Sequence, residues 1–193
     1  EATANPNLQL KNGPSVWRHT RTLGLGFFYL WDPVAPTEWM RRRKEWYAAA
    51  RRILTHNRRN LDSELQVTLA VVEGLYPEAT KTYLDWREVR DSFKPHTVAT
   101  WFDDSALKAA ANWAEGGPGI IWTEQIAFGK KLSEVTGLPY YGKKGVNAQG
   151  QHIPEFGEPG CGEGVIIASI QSNGEGRNLQ AWNRNLLTCP PQN

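Results

Sequence analysis

Long apolar runs are missing from this 193-residue sequence, and none approaches the roughly 18 residues that a membrane-spanning helix needs. The first residues carry neither a basic nor an apolar stretch, so we expect no signal peptide. Cysteine is also scarce, and Cys161 and Cys189 have no cysteine or histidine at zinc-binding spacing. A zinc knuckle is therefore excluded. Two thiols fit a reducing cytosol, with a single disulfide as the alternative, so these absences predict a cytoplasmic chain with no membrane partner.

The usual patterns of catalysis are absent as well. The 4 histidines are scattered, and no two of them have a metal-binding spacing. Ser169 and Ser172 do not lie in a GxSxG nucleophile elbow. The sequence contains no GxxxxGK[ST] phosphate-binding loop. We therefore assign neither a catalytic residue nor a metal site, and the net charge of +2 argues neither for nor against a nucleic-acid partner.

The chain does have the composition of an ordinary globular protein, with 40% hydrophobic and 22% charged residues. In its front part, apolar residues recur at helical spacing. We predict an irregular arm over residues 1–21, an extended segment over 23–31, and helices over 38–56, 62–75 and 80–93. The pattern changes near residues 94–103.

Strands and helices alternate in the second half of the chain. Short apolar runs predict strands over residues 119–123, 137–141, 165–170 and 185–189. Helices are expected over residues 103–115 and 124–136, a long loop over 142–164, and a short helix from Glu175. The alternation predicts an α/β fold with a parallel sheet over residues 101–193, preceded by a mostly helical region over residues 1–100.

Each long helix has an expected inward face. For the first, the spacing indicates Trp39, Trp46, Ala50 and Ile53. For the second, it indicates an Asp62 cap and an apolar side formed by Leu65, Leu69 and Val72. For the helix over residues 124–136, it indicates Ile126, Phe128, Leu132 and Val135.

A glycine-containing segment, residues 169–180, follows the third strand of the predicted sheet. Gly174 and Gly176 form a Gly-x-Gly turn that we expect to open a helix. Glycines let the backbone approach a phosphate, and the amides at a helix N-terminus attract an anion. The alternative interpretation is a tight turn that needs glycine only for its backbone dihedral angles.

The first predicted helix and the residues just after it are rich in basic residues. These are Arg41, Arg42, Arg43, Lys44, Arg51, Arg52, Arg58 and Arg59, of which only Arg43 lies on the tryptophan-bearing face. A cationic face opposite an apolar one can follow the phosphates of a nucleic acid, with strong salt dependence. The alternative is an ordinary solvated helix face, and we treat the lysine pairs at residues 130–131 and 143–144 as solvated.

Several segments resemble the second RecA-like lobe of superfamily-two helicases, near the Swi/Snf-type and phage-encoded branch. Residues 119–129 resemble the opening strand and helix of that lobe, and residues 169–179 resemble helicase motif V. Residues 180–191 resemble the segment that follows motif V, whereas residues 25–33 and 61–67 resemble the connecting region of phage helicases of this type.

The resemblance implies a RecA-like parallel sheet with flanking helices, after a mostly helical segment. It also implies the C-terminal lobe of an ATP-dependent DNA helicase or translocase, which supplies one wall of the nucleotide cleft and part of the DNA track. The implied partners are DNA and the N-terminal RecA-like lobe of the same protein, in a bacterial or phage-infected cell. ATP and Mg would bind to the intact parent, with none held stably by this segment.

Individual positions can be matched to the family motif. Ser169 and Gln171 match positions that face the nucleic-acid backbone, to which we add the basic residues Arg51, Arg52, Arg58 and Arg59. The positions on the nucleotide side of the cleft are Gly174, Glu175, Gly176 and Asn178.

The sequence also departs from the family pattern. The phosphate loop and the acidic metal-holding motif are missing, and the Gln-x-x-Gly-Arg-x-x-Arg motif is expected just beyond Pro191. We therefore expect no ATPase activity from this chain alone, and neither Arg177 nor Arg184 is assigned as the arginine finger. The alternatives are a stand-alone nucleic-acid-binding or protein-interaction domain that uses the basic helix at residues 38–59, and a nucleotide-binding enzyme that uses the Gly-x-Gly turn.

Overall fold

A computed structural model describes residues 13–56 and 59–188 of the chain. Its helices are α1 (Gly13–Gly24), α2 (Thr37–His56), α3 (Glu64–Val72), α4 (Pro77–Val89), α5 (Ser105–Ala114), α6 (Ile126–Thr136) and α7 (Ile170–Asn173). Its strands are β1 (Phe27–Trp31), β2 (Thr97–Trp101), β3 (Gly119–Thr123), β4 (Tyr140–Tyr141), β5 (Val165–Ser169) and β6 (Asn185–Leu187). In that part of the chain, no helix is both long enough and apolar enough to cross a bilayer.

The fold is α/β, with a helical segment first, as the sequence predicts. Strands β3 to β6 form a parallel sheet in the order β4-β5-β3-β6, and β1 and β2 form a separate two-stranded sheet. The chain forms two compact units. One is Leu30–Val98, and the other combines the described residues up to Tyr29 with those from Ala99 onward.

The central strands of the parallel sheet are apolar because both of their faces are covered. Alternate residues point to opposite faces. Ile121 and Ile167 pack with Phe128 and Leu132 of α6 on one face, whereas Ile120 and its partner Ile166 pack on the other against loop residues, including Ile153 and Trp182. Burying each of these large side chains contributes about 1.5–3 kcal/mol.

The helical unit has its own core between α2, α3 and α4. Trp46, Val67, Val71 and Tyr83 are buried in it, and the Trp46 indole N–H donates to a carboxylate oxygen of Glu64 at 2.8 Å. Its polar edge is thereby satisfied, as a buried indole requires.

The expected inward face of α2 is confirmed, because Trp39, Trp46, Ala50 and Ile53 are all buried.

The expected face of α3 is wrong. Val67, Ala70 and Val71 are buried, whereas the predicted residues Leu65, Leu69 and Val72 are more than half exposed. The helix is apolar on two sides, so spacing alone does not decide between them. Packing against α2 and α4 selects the side that carries the smaller residues.

The predicted ends of α3 are also wrong. The helix covers residues 64–72 instead of 62–75, and Ser63 rather than Asp62 caps it, since the Ser63 hydroxyl accepts the Gln66 backbone N–H.

Further differences concern element bounds. The predicted arm becomes helix α1 from Gly13 onward, and its earlier residues lie outside the described chain. Strand β2 is absent from the prediction because its short sequence, Thr97–Trp101, has no clear alternation. In α6, Phe128 and Leu132 are buried as expected, but Ile126 and Val135 are exposed near the ends of the helix.

Candidate functional site

The candidate nucleotide site lies where β5 leaves the carboxyl edge of the sheet. Ser169 is the last residue of β5, is paired in register with Thr123 of β3, and is buried. Its side chain forms no capping hydrogen bond with α7. Gln171, on the first turn of α7, is exposed. Carboxyl ends of parallel strands are where open α/β sheets bind their ligands.

The expected helix after the Gly-x-Gly turn is wrong, because the helix comes before the turn. Helix α7 ends at Asn173, and residues 174–180 contain no helix. The backbone N–H of Gly174 is used to close α7, donating to the Ile170 carbonyl at 2.9 Å. The anion site expected at a helix N-terminus in this turn is therefore not formed.

The local structure explains why both positions of the turn are glycine. A Cβ on Gly174 would lie 2.6 Å from the Ile170 carbonyl oxygen, which is too close for any side chain. Gly176 has a φ of 74°, in the left-handed region that glycine adopts at little cost. Gly174, Glu175, Gly176 and Asn178 are all exposed.

Asn173 is almost fully buried at this edge, with 1% of its surface exposed. Its side-chain amide donates to the backbone carbonyls of Ser169, Tyr141 and Gly142 at 3.1–3.2 Å. Asn173 thus joins the ends of β4 and β5. Its role was not predicted from the sequence, although an asparagine directly before the glycine turn is a visible signal.

The Arg177 guanidinium extends this network. It donates to the Asn173 side-chain oxygen at 3.1 Å, to a Glu155 carboxylate oxygen at 3.2 Å and to the Lys144 carbonyl at 2.8 Å. The Asn178 backbone is bonded to the same neighbouring segment, since its carbonyl accepts the Phe156 N–H at 2.9 Å. Arg177 therefore holds three chain segments together and is committed to the fold.

Arg184 is committed in the same way. Its guanidinium donates to the Gly117 and Trp113 carbonyls and stacks 4.2 Å from the centre of the Trp113 ring. Neither Arg177 nor Arg184 projects a free guanidinium.

A buried ion pair lies just beyond the end of β3. Arg21 of α1 binds the Glu124 carboxylate, and the two side chains are only 4% and 11% exposed. Each of these buried charges compensates the other, and removing either side chain would leave the remaining charge buried without a partner. Sequence reasoning missed this pair because its residues are separated by 103 positions.

A groove of about 700 Å³ lies beside the edge strand β4, between α6 and residues 146–151. The Tyr140 ring forms part of its wall, and burial raises the pKa of the Tyr140 hydroxyl. None of the residues assigned to the nucleotide or nucleic-acid site lines this groove.

The basic residues of α2 divide into distinct groups. Arg41 binds Glu38 and Glu45, and Arg42 binds Glu38 and Glu88, so their charges are compensated. These two arginines lower the pKa of Glu38 to about 2.

Arg43 lies on the aromatic side of α2, as its position in the sequence predicts. Its guanidinium stacks on the rings of Trp31, Trp39 and Tyr47 at 4.9–5.6 Å from their centres.

The other basic residues of α2 point to solvent. Lys44, Arg51 and Arg52 are exposed, and within residues 13–56 and 59–188 they have no carboxylate partner. Arg59 is exposed just after the helix, and Arg58 lies outside the described residues. At helical spacing, Lys44 and Arg51 fall on one face, opposite the buried tryptophans.

ATP fits this region only in part. In the described chain, the backbone N–H groups of Glu175 and Gly176 have no protein acceptor and remain available to a ligand. No cationic side chain of the turn is available for a phosphate, because Arg177 is engaged. The same part of the chain contains no group of three His, Cys, Asp or Glu residues that could hold a metal ion. The turn therefore offers two unbonded backbone N–H groups and does not form a complete phosphate site.

Comparisons with known proteins add no relative: no family model, curated protein or solved structure matches this chain.

Proposed function

We propose that this chain is the C-terminal lobe of an ATP-driven DNA helicase or translocase and acts in the cytoplasm of a bacterial or phage-infected cell. One observation carries the proposal. The segment that resembles motif V, residues 169–179, follows β5, a central strand of a parallel sheet, and its glycine turn is exposed at the carboxyl edge. Ligands of open α/β sheets bind at this edge.

In this proposal the lobe contributes surfaces and no reacting group. The exposed amides of Glu175 and Gly176 would form part of one wall of the nucleotide cleft. Gln171, which is exposed, would face the DNA backbone, whereas Ser169 is buried and would only hold the start of α7 in position. The N-terminal lobe would bring the phosphate loop and the Mg site, and ATP-driven closure of the two lobes would move the DNA.

The test uses the intact reading frame that contains this chain. We expect it to encode a GxxxxGK[ST] loop upstream and a Gln-x-x-Gly-Arg-x-x-Arg motif downstream, and its product to hydrolyse ATP when DNA is added. The isolated chain should show no turnover, with or without DNA. Stop codons in place of those motifs, or ATP turnover by the isolated chain, would rule the proposal out.

A second candidate function is a nucleic-acid-binding module that uses α2 alone. The observation in its favour is that Arg51 and Arg52 are exposed and, in the described chain, free of carboxylate partners. Such a module would bind DNA without any effect of ATP, which separates it from the motor.

A further inference from the structure

A short turn of basic residues lies next to α7. The lysine turn, Lys143–Gly145, follows β4 and forms a single 3-10 turn. Lys143 and Lys144 are both exposed. In the part of the chain that the structure describes, neither ammonium group has a carboxylate partner, unlike Lys131, which binds Glu134.

Buried polar contacts fix this turn in place. The Asn173 amide donates to the Gly142 carbonyl at 3.1 Å, and Arg177 donates to the Lys144 carbonyl at 2.8 Å. Gly145 packs so tightly that a Cβ there would overlap the Arg177 guanidinium and lie 2.8 Å from the Asn173 side-chain oxygen. The backbone of the lysine turn is therefore attached to the end of α7.

The backbone at Lys144 is also unusual. Its φ of 62° is left-handed, a conformation that lysine rarely adopts. Residues held in such conformations persist only where surrounding contacts determine them, and they are frequent at ligand sites. Here the contact is the Arg177 bond to the Lys144 carbonyl, which leaves the ammonium group free to project outward.

We propose that Lys143 and Lys144, on the turn that is attached to the end of α7, form a phosphate-contacting surface for the backbone of a nucleic acid. The proposal rests on the proposed DNA-facing role of α7 and adds the residues that would supply its positive charge. Two ammonium groups on a rigid turn neutralise phosphates without reading base sequence, and they release counterions in doing so. Glu155, the carboxylate bonded into this region, is already paired with Arg177.

The experiment measures binding of a short fluorescein-labelled single-stranded DNA to the full chain by fluorescence anisotropy over a range of NaCl concentrations. Lys143→Gln with Lys144→Gln should weaken binding about tenfold at low salt and reduce the slope of log K against log salt by about 1 to 2. The matched control, Lys130→Gln with Lys131→Gln, removes the same charge from the same unit and should change affinity less than about twofold. Circular dichroism verifies that both variants are folded.

Three results would overturn the proposal: unchanged binding by the Lys143/Lys144 variant, equal losses in both pairs, or no binding of DNA by the unmodified chain at low salt. The helicase proposal has a separate criterion, the ATP turnover of the intact reading frame. DNA binding through the lysine turn without such turnover would support the phosphate-contacting surface and would rule out the helicase proposal.

Discussion

The side-chain oxygen of Asn173 accepts a hydrogen bond from the Arg177 guanidinium, while the amide nitrogen of Asn173 donates to three backbone carbonyls. A single buried side chain thus fixes the ends of two parallel strands and, through Arg177, the lysine turn. Buried polar groups with several bonds contribute more than isolated ones, because removing one leaves the others without partners.

We expect Asn173→Ala to lower the free energy of unfolding by about 2–4 kcal/mol, since it leaves buried carbonyls without a donor. Urea denaturation followed by tryptophan fluorescence measures the change. Asn183→Ala is the control, because Asn183 is exposed and should change stability by less than about 0.5 kcal/mol. Equal effects of the two substitutions would contradict the assigned role of Asn173.

The two sides of α3 give a second prediction. Val67 is fully buried, so Val67→Ala should cost about 1–3 kcal/mol through lost burial and an unfilled space. Leu69 is 54% exposed, and Leu69→Ala should cost less than about 1 kcal/mol despite removing a larger side chain. Thermal or urea unfolding distinguishes this structure from the opposite helix face that sequence spacing favours, for which the order of the two effects would be reversed.

The sequence predicts those parts of the fold that are determined by residues close together along the chain. The strands β3 and β5 were predictable, because a short apolar run such as residues 120–122 is bounded by glycine and polar residues. The buried face of α3 was not predictable, since its choice depends on α2 and α4. Helix α1 was also missed, because the polar residues, prolines and asparagines of residues 1–21 indicate an irregular arm, although the helix itself is amphipathic.

In the candidate site as well, the features set by local sequence were predictable and those set by distant contacts were not. The Gly-x-Gly turn was found, because glycines after a buried strand indicate a tight turn at a sheet edge. Its environment was not, because Arg177 reaches Glu155 and Lys144, which are 22 and 33 positions away. Hydrogen bonds across such distances leave no periodic signal in a single sequence.

A third prediction concerns Arg43, whose guanidinium contacts three aromatic rings. Arg43→Met keeps an unbranched apolar stem but removes the cation, and we expect a loss of about 0.5–2 kcal/mol in unfolding free energy. Lys44→Met, one position along the same helix, removes an exposed charge and should be within about 0.5 kcal/mol of the unmodified protein. Chemical denaturation of both variants provides the comparison, and a larger effect at Lys44 would refute the stacking role.

A fourth prediction follows from the low pKa of Glu38, which its hydrogen bonds with Arg41 and Arg42 lower to about 2. Because the folded protein favours the ionised carboxylate, Glu38 stabilises the fold fully above its ordinary pKa of 4.5. That contribution declines as pH falls from there through about 2. Glu38→Gln should therefore be less stable than the unmodified protein at neutral pH, and the difference should disappear toward pH 2. A difference in denaturation midpoint that stays constant down to that pH would exclude this explanation.

The last prediction tests whether the free arginines of α2 contact DNA. Arg51 and Arg52 are exposed without carboxylate partners in the described chain, whereas Arg41 is held by Glu38 and Glu45. A guanidinium already bound to two carboxylates gains little from a phosphate, because it must give up those bonds.

Arg51→Gln and Arg52→Gln should each weaken DNA binding about threefold at low salt and reduce the salt slope by about 1. Arg41→Gln removes the same charge and should change affinity by less than about twofold. Anisotropy titrations at several salt concentrations compare the three variants. If Arg41→Gln weakens binding as much as the other two, only the total charge of the helix matters, and α2 carries no defined phosphate contacts.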